Sequence, residues 1–230
     1  MSKNKHMLSN HIIEVGAERR TAGPVSLAQG VYGTRGNLEL IACDAEDGLW
    51  VFWFNADDPD EPTTSPDVPP GSWSGGLAFA QGHRYVDAQI VQSTLGPDHL
   101  EVLALTSDGV LQSWFWSPGP GFRRRDADAA DHVTAFTLTH DDGTLHARIT
   151  DAGGTERMLE SAPEGYPERS WRGIRSSAAQ PPSAAAQLSA LGIDDVVPDT
   201  ARVALSTRDG GTTELTWRDA GGRIRHLGVR

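Results

Sequence analysis

Cysteine and long apolar stretches are the features most clearly scarce in this sequence of 230 residues. Cys43 is the single cysteine, so no intrachain disulfide framework can form. No apolar stretch approaches the roughly 20 residues that span a bilayer, and the N-terminus lacks the apolar centre of a secretory signal. These absences predict a soluble protein made in the cytoplasm, without a membrane partner and long enough to bury its own core.

Basic side chains are outnumbered as well, with 20 Lys and Arg against 31 Asp and Glu, which gives a formal net charge of −11. Such a charge opposes nonspecific attraction to nucleic acid, so nucleic acid is not an expected partner. The run Arg123-Arg124-Arg125 is a local exception. Because Asp126 and Asp128 follow it at once, we interpret it as a solvated strand or loop end.

The motifs by which many enzymes are recognised are also missing. There is no Gly-rich phosphate loop, no His-Glu-x-x-His, no paired-cysteine metal site and no Gly-x-Ser-x-Gly turn. No metal site and no cofactor are therefore predicted. Catalytic residues stay unknown, and catalysis itself stays open, because an active site can be assembled from residues that are distant in sequence. Glu39 and Glu101 lie at matching positions of two repeats, and we predict that they face solvent rather than form a catalytic pair.

A β-hairpin signal recurs along the chain. Apolar, strand-like runs flank an Asp-Gly dipeptide, at which glycine can take a positive φ. The dipeptide occurs at Asp47-Gly48, Asp108-Gly109, Asp142-Gly143 and Asp209-Gly210. Four copies of one hairpin indicate a repeat protein. If the four turns are equivalent, their aspartates should all lie at one end of the sheets.

Each copy has room for three or four antiparallel strands. Innermost strands are predicted upstream of the hairpins, at 25–31, at 86–91 and at 185–191, where a helical turn is the alternative. A strand at 12–15 precedes the first copy. Pairing of this strand with the last unit would close a circular array and remove its open ends.

Discrete hairpin units joined by longer connections favour a small all-β propeller of four antiparallel blades, with five blades or a closed β-barrel as alternatives. One domain is predicted over residues 11–230, after a disordered N-terminus at 1–10. Residues 55–72 hold four Asp, one Glu and five Pro, a composition typical of a solvated insertion. Because this insertion offers almost no apolar surface to a core, deletion of 57–69 is expected to preserve folding.

The first two copies also carry a family resemblance. NLELIACDAEDGLWVFWF at 37–54 matches HLEVLALTSDGVLQSWFW at 99–116, and GSWSGG follows the first copy at 71–76. This pattern resembles the repeats of sugar-binding propeller lectins, namely the fucose-binding seven-bladed group and the tachylectin-like five-bladed group. The resemblance covers 36–116 and, more loosely, 133–227, where Arg148 stands in place of the strand tryptophan. It implies a propeller fold and the binding of a sugar.

The seven tryptophans can serve either ligand binding or packing, because an aromatic face can stack on the C–H face of a sugar or on a neighbouring sheet. Trp53 and Trp114 follow their turns at the same spacing, and we predict that both pack between sheets. Ligand binding, with packing as the alternative, is predicted for the tryptophans nearer strand ends or loops, which are Trp50, Trp73, Trp116 and Trp171.

These observations predict a ligand-binding propeller that recognises a glycan or another small polar ligand through aromatic pockets. Two other classes stay open. One is an enzyme, such as a lyase, cyclase or hydrolase, with its active site in the central funnel, and the other is a protein-interaction scaffold. Convergent His, Asp, Glu or Arg side chains at the axis would indicate catalysis, whereas a broad exposed apolar patch would indicate a scaffold.

Overall fold

Sixteen strands make up most of the regular structure in the part of the chain that can be described. The computed structural model describes residues 12–229 apart from positions 34, 58, 61–66, 97, 175–182 and 206–211. The segment 1–10, predicted to be disordered, lies outside the described residues. Within them, no helix is long and apolar enough to cross a membrane.

The strands form four antiparallel sheets of four strands each. The chain begins with β1 (Ile13–Val15). Sheet I then contains β2 (Thr21–Gln29), β3 (Leu38–Asp44), β4 (Leu49–Phe54) and β5 (Leu77–Phe79). Sheet II contains β6 (Tyr85–Gln92), β7 (Leu100–Thr106), β8 (Leu111–Ser117) and β9 (Gly121–Arg124). Sheet III contains β10 (Val133–Asp141), β11 (Thr144–Asp151), β12 (Glu156–Ser161) and β13 (Arg172–Ile174). Sheet IV contains β14 (Arg202–Leu205), β15 (Thr213–Arg218), β16 (Ile224–Val229) and β1.

The all-β prediction and the predicted strand number per unit are confirmed by these sheets. Within each sheet, strands that follow one another in the chain are hydrogen-bonded neighbours, with β1 as the one exception. The strands that the structure describes form four separate sheets and not one closed barrel, so the barrel alternative is wrong. Four sheets of this kind are consistent with a β-propeller.

Apolar side chains fill the spaces between sheets I and II, between sheets II and III, and between sheets IV and I. Strands β3 and β7 are buried on both faces along almost their whole length, which explains why both sequences are apolar nearly throughout. The core between sheets I and II includes Ile41, Val51, Ile90, Val102 and Trp114. The core between sheets II and III includes Leu103, Leu111, Phe136 and Ile149. The core between sheets IV and I includes Val15, Leu27, Leu40, Phe52 and Ile224.

The first strands of sheets I, II and III are also linked by buried polar side chains. Ser26 Oγ on β2 accepts a hydrogen bond from Ile90 N on β6 at 3.2 Å. Gln89 on β6 donates to Phe136 O on β10 at 2.8 Å and accepts from Leu138 N at 2.9 Å. These bonds hold the three first strands side by side, as the inner strands of propeller blades are held.

The N-terminal strand completes the last sheet. Strand β1 pairs with β16, with Ile13 opposite His226 and Val15 opposite Ile224. Val15 is buried with Ile224 in the core that faces sheet I. The predicted pairing of the two chain ends is confirmed, and it covers an edge of β16 that would otherwise present unpaired backbone groups.

The Asp-Gly turns are not equivalent, and the expectation that they lie at one end of the sheets is wrong. Asp47 and Asp108 lie between the second and third strands of sheets I and II, whereas Asp142 lies between the first and second strands of sheet III. Successive turns of a meander lie at opposite ends, so Asp142 is at the other end from Asp108. Asp209 lies outside the described residues.

Contacts between neighbouring turns show which end is which. Val133 N, at the start of β10, donates to Gly109 O of the Asp108 turn at 2.9 Å. At the far end of β10, a Cβ added to Gly143 would lie 2.9 Å from Thr94 Oγ1, in the loop after β6. We call this second end the upper end. It carries the loops that join the first and second strands of sheets I, II and III.

A short helix occupies the third segment considered for an innermost strand. Helix α1 (Ala184–Ala190) begins after Ser183, whose Oγ accepts a hydrogen bond from Ala186 N at 3.3 Å. Leu188 is fully buried in the core of sheet IV. An Ala-rich segment behind a serine N-cap favours helix, and β14 supplies the first strand of sheet IV instead.

Candidate ligand-binding cavity

A cavity of about 450 Å³ opens between sheets I and II at the upper end. Sheet I lines it with Glu39, Val51, Trp53 and Leu77, sheet II with Leu100, Trp116 and Phe122, and loops with Tyr32, Asn37, Asp98, Pro118 and Gly119. Aromatic rings and carboxyl groups therefore share one space between two sheets.

The strand register explains why these side chains meet. Glu39 on β3 is directly opposite Trp53 on β4. Leu100 on β7 is opposite Trp116 on β8, which is in turn opposite Phe122 on β9. Directly opposed residues of an antiparallel pair project from the same face. A carboxyl group and an indole on sheet I thus face an indole and a phenyl ring on sheet II.

Ring packing holds the aromatic wall on the side of sheet II. Phe122 stacks on Phe79 with a centroid distance of 3.8 Å and an interplanar angle of 11°. Phe79 also meets Trp114 edge-on at 5.7 Å, and Trp116 lies 6.5 Å from Phe122. Because such contacts restrict the orientation of each ring, the wall is preformed before any ligand arrives.

Glu39 is a buried carboxyl group in the opposite wall. Asn37 Nδ2 donates a hydrogen bond to Glu39 Oε1. Burial raises the pKa of Glu39 from 4.5 to about 8, although this hydrogen bond acts in the opposite direction. Glu39 therefore holds its proton at neutral pH. Asn37 Oδ1 is also buried, and it has no hydrogen-bond donor among the described residues.

Glu101, the repeat counterpart of Glu39, is buried among arginines. Arg125 donates to its two carboxylate oxygens at 2.8 and 3.2 Å, and Arg169 donates to Oε1 at 3.1 Å. The side chains of Glu101 and Arg125 are 0% exposed, and that of Arg169 is 2% exposed. The prediction that Glu39 and Glu101 face solvent is wrong, because a neighbouring sheet covers each face of their strands.

The arginine run divides between the surface and this buried cluster. Arg123 and Arg124 are exposed, as predicted for a solvated strand end. Arg125 lies just past β9, where its backbone N–H donates to Ser113 O at 2.9 Å, and its side chain points inward. The prediction is therefore wrong for Arg125. Its side chain is buried, and its ion pair with Glu101 offsets the loss of hydration of the guanidinium group.

Trp53 and Trp114 do not occupy equivalent positions. Trp53 is opposite Glu39, whereas Trp114 is opposite Val102 and corresponds to Phe52 of sheet I. The Asp-Gly pair comes one residue later in the first turn than in the second. Trp53 and Trp114 each follow their aspartate by the same number of residues, but this extra turn residue puts them one position apart in the strand register. A shift of one position moves a side chain to the other face of the sheet. Trp114 is buried between sheets as predicted, while Trp53 lines the cavity.

Trp116 is the one of the four tryptophans predicted to bind ligand that lines this cavity. Trp50 projects from the other face of sheet I, because it is three residues from Trp53 on the same strand. Its Nε1 donates to Asp44 Oδ2 at 2.6 Å, and the Arg19 guanidinium lies 4.5 Å from its ring centroid.

Trp73 and Trp171 lie in two further places. Trp73 packs against Phe54 and His226, with both centroid distances at 5.4 Å. Trp171 belongs to the core between sheets II and III, and its Nε1 donates to Ser113 Oγ at 3.2 Å. The four tryptophans thus do not form one pocket.

A second cavity, of about 610 Å³, lies at the upper ends of the first strands. Its lining includes Gln29, Ile90, Gln92, Thr94 and His140. His140 is the single ionisable side chain among the described residues that line it. In the described part of the chain, no group of three or more His, Cys, Asp or Glu side chains is arranged to hold a metal ion.

The sequence reasoning missed several cavity residues, which are Tyr32, Asn37, Glu39, Trp53, Asp98 and Phe122. A signal for Glu39 was present. It interrupts a strand that is otherwise apolar on both faces, and a charged residue on such a strand must be buried and paired or serve a site. Asp98 and Asn37 carried no comparable signal, because they lie in loops that only the packing of sheets I and II brings together.

Comparison with known proteins finds similar chains among solved structures alone. No protein-family model and no curated protein matches the chain. Solved structures similar to it include the BP39L lectin from Burkholderia pseudomallei, with 16% identity over 89% of this chain and 51% of that chain and a TM-score of 0.48. AofleA from Arthrobotrys oligospora has 11% identity over 96% of this chain and 57% of that one, with a TM-score of 0.44.

A lectin from Aleuria aurantia is similar at 14% identity over 93% of this chain and 59% of that one, with a TM-score of 0.43. It is a six-bladed β-propeller with a fucose recognition mode, whereas the sequence resemblance names a seven-bladed fucose-binding group. Sugar-binding propeller lectins, the group that the hairpin repeats resemble, are thus among the structures similar to this chain. The chain spans 51% of the length of the BP39L lectin, 57% of AofleA and 59% of the Aleuria aurantia lectin.

Proposed function

We propose that the chain binds a glycan in the cavity between sheets I and II. The observation that carries the proposal is the pair of indoles, Trp53 and Trp116, in one cavity with the carboxyl groups of Glu39 and Asp98. Sugars are recognised by this combination, since an aromatic face covers the apolar C–H face while carboxyl and amide groups bind the hydroxyls. A volume of about 450 Å³ suits one or two sugar rings.

Binding of a panel of glycans to single-alanine variants tests the proposal. The panel includes α-methyl fucoside, which the SapL1 lectin holds in its structure. We expect Trp116→Ala to weaken binding by about tenfold or more, since stacking area is lost. Trp171→Ala removes an indole from a different sheet interface and serves as the matched control, with affinity kept. Absence of any bound glycan, or equal loss in both variants, would contradict the proposal.

Hydrolysis of a glycan is a second candidate function, and the protonation of Glu39 favours it. A carboxyl group with a pKa of about 8 can donate a proton at neutral pH, and Asp98 supplies a second carboxyl to the same cavity. Hydrolysis in this cavity would place the active site between sheets I and II, and not in the central funnel of a propeller. Release of a chromophore from aryl glycosides by the parent, lost in Glu39→Gln, would support hydrolysis, and no release would favour binding alone.

We further infer that the four sheets are the blades of a four-bladed propeller. The buried links between first strands and the pairing of β1 with β16 support this inference. A closed monomer of this length should have a radius of gyration of about 17 Å in small-angle scattering. A markedly larger value at monomeric mass would indicate an open array of sheets.

A further inference from the structure

Two sheet interfaces of this protein are built around the same pair of positions. Glu39 and Glu101 lie at equivalent places on β3 and β7, and each projects toward the sheet that follows in the chain. Each is directly opposite an aromatic residue on the next strand, Trp53 in sheet I and Phe115 in sheet II. The interface between sheets II and III can therefore be compared, residue by residue, with the cavity between sheets I and II.

In the interface between sheets II and III, a cation occupies the space beside the carboxylate. The Arg125 guanidinium binds both carboxylate oxygens of Glu101, and its central carbon lies 5.1 Å from the centroid of the Phe115 ring. Arg169 adds a second guanidinium at 3.1 Å. The chain thus fills this position with charge from its own side chains, held between a carboxylate and an aromatic face.

No described residue places such a cation at the equivalent position between sheets I and II. The described residues that line the cavity include two carboxyl groups, Glu39 and Asp98, and neither lysine nor arginine. Glu39 forms no ion pair among the described residues. Asn37 is 8% exposed, and its Oδ1 adds a hydrogen-bond acceptor without a donor in that part of the chain. Among the described residues, neither the Glu39 carboxyl group nor the Asn37 amide oxygen is therefore paired with a cation.

We propose that the ligand of this cavity presents a cationic nitrogen group, which lies between the Glu39 carboxylate and the Trp53 ring as Arg125 lies between Glu101 and Phe115. Among glycans, this selects amino sugars with a free, protonated amine over their N-acetylated or neutral counterparts. The sugar part rests on the proposed function. Trp is the most favourable aromatic partner for a cation, and Glu39 is opposite a Trp where Glu101 is opposite a Phe.

The raised pKa of Glu39 agrees with a missing counter-charge. A cation placed beside a buried carboxyl group favours its ionised form, so binding should release a proton from Glu39 near neutral pH. Asp98 and Tyr32 are the other titratable side chains among the described residues that line the cavity. Proton release can be measured by calorimetry in buffers of different ionisation enthalpy.

Calorimetric titration with a matched pair of ligands tests the proposal. The pair is a short glucosamine oligosaccharide and its fully N-acetylated form, which differ only in the charge and acylation of the nitrogen. We expect the free amine to bind at least about tenfold more tightly. Glu39→Gln should abolish this preference, and Asp98→Asn should reduce it. Glu46→Gln removes one charge from an exposed side chain and should leave the preference unchanged.

Three outcomes separate this inference from the proposed function. Equal or tighter binding of the N-acetylated form in the cavity would overturn the inference and leave glycan binding standing. Binding of tetramethylammonium that depends on Glu39, without binding of any glycan, would support the inference and overturn the proposed function. Failure of both ligands and of tetramethylammonium would overturn the inference, and failure of the whole glycan panel as well would overturn both. If Glu39→Gln does not fold, the ligand pair and Asp98→Asn still decide the question.

Discussion

A carboxyl group buried without a counter-ion makes stability depend on pH, and Glu39 has no counter-ion among the described residues. Its pKa is raised from 4.5 to about 8, so between these two pH values the folded chain holds a proton that the unfolded chain has lost. The free energy of unfolding should therefore fall as pH rises from about 4.5 to about 8, and this contribution should then level off.

Glu39→Gln removes that contribution, because glutamine does not titrate. Urea unfolding of the parent and the variant across this pH range measures the difference, which should grow in favour of Glu39→Gln as pH rises. Glu46→Gln, at an exposed position, is the control and should follow the parent. An unchanged pH dependence in Glu39→Gln would mean that Glu39 is ionised in the folded protein.

Trp53 and Trp114 offer a second contrast between single residues. Trp114 is 9% exposed and packs in the core between sheets I and II, so Trp114→Ala should lower the free energy of unfolding by about 3–5 kcal/mol. Trp53 lines an open cavity, so Trp53→Ala should cost clearly less stability while it weakens ligand binding. Urea unfolding measures the first effect. Equal destabilisation by the two variants would show that Trp53 is also a core residue.

At the scale of elements, the Glu101 cluster attaches the loop between β12 and β13 to sheet II. Arg169, in that loop, donates to Ala162 O at 3.0 Å and to Gly143 O at 2.7 Å as well as to Glu101. Tyr166 of the same loop meets Phe115 edge-on at 5.5 Å. The carboxylate of Glu101 therefore pairs with two guanidinium groups that come from different parts of the chain.

Removal of the Glu101 carboxylate should lower the free energy of unfolding strongly. Glu101→Ala leaves the guanidinium groups of Arg125 and Arg169 buried without the carboxylate that they share, and we expect a loss of about 3–5 kcal/mol in the free energy of unfolding. Arg124→Ala breaks a partly exposed pair with Asp128 and should cost less than about 1 kcal/mol. Chemical unfolding of both variants measures the difference. A small effect of Glu101→Ala would show that the loop is held by its other contacts.

The acidic insertion at 55–72 is anchored at both ends. Val68 is 3% exposed, and its carbonyl accepts a hydrogen bond from Asn55 Nδ2 at 2.8 Å. Asp57 is buried and accepts from Arg35 N at 3.2 Å. A deletion of 57–69 removes these anchors, so we now expect it to destabilise the fold, whereas a deletion of 60–66 that spares them should be tolerated. Thermal unfolding of the two deletions compares them, and equal melting temperatures would contradict the role of the anchors.

Local signals in the sequence predicted the hairpins and the pairing of the chain ends, because a turn dipeptide and an edge strand act over a few residues. They did not predict that the Asp142 turn belongs to a first hairpin while those of Asp47 and Asp108 belong to second hairpins. The same dipeptide occurs in both kinds of turn. Which pair of strands it joins depends on where the preceding sheet ends, and the dipeptide itself carries no signal for that. The prediction of Trp53 failed for a related reason, since one residue of turn length decides which face it occupies.

At the scale of the whole molecule, the cavity is a product of how sheets pack. No single strand or loop contains it, because sheet I supplies Glu39 and Trp53 while sheet II supplies Trp116 and Phe122. Trp116 was predicted from its place near a strand end, but its partners across the interface are distant in sequence. The interface between sheets II and III shows the alternative use of the same geometry, in which the chain's own arginines fill the space.

The most direct test of a binding site between sheets I and II uses nitrogen-15-labelled protein. A glycan that binds in the panel is added stepwise, and the indole N–H signals of the tryptophans are followed by nuclear magnetic resonance. Each of the seven tryptophans gives one signal, which alanine variants assign. We predict that the signals of Trp53 and Trp116 shift on binding, while those of Trp50, Trp73 and Trp171 stay in place. Shifts of the latter three with Trp53 and Trp116 unmoved would place the ligand elsewhere and contradict a binding site between sheets I and II.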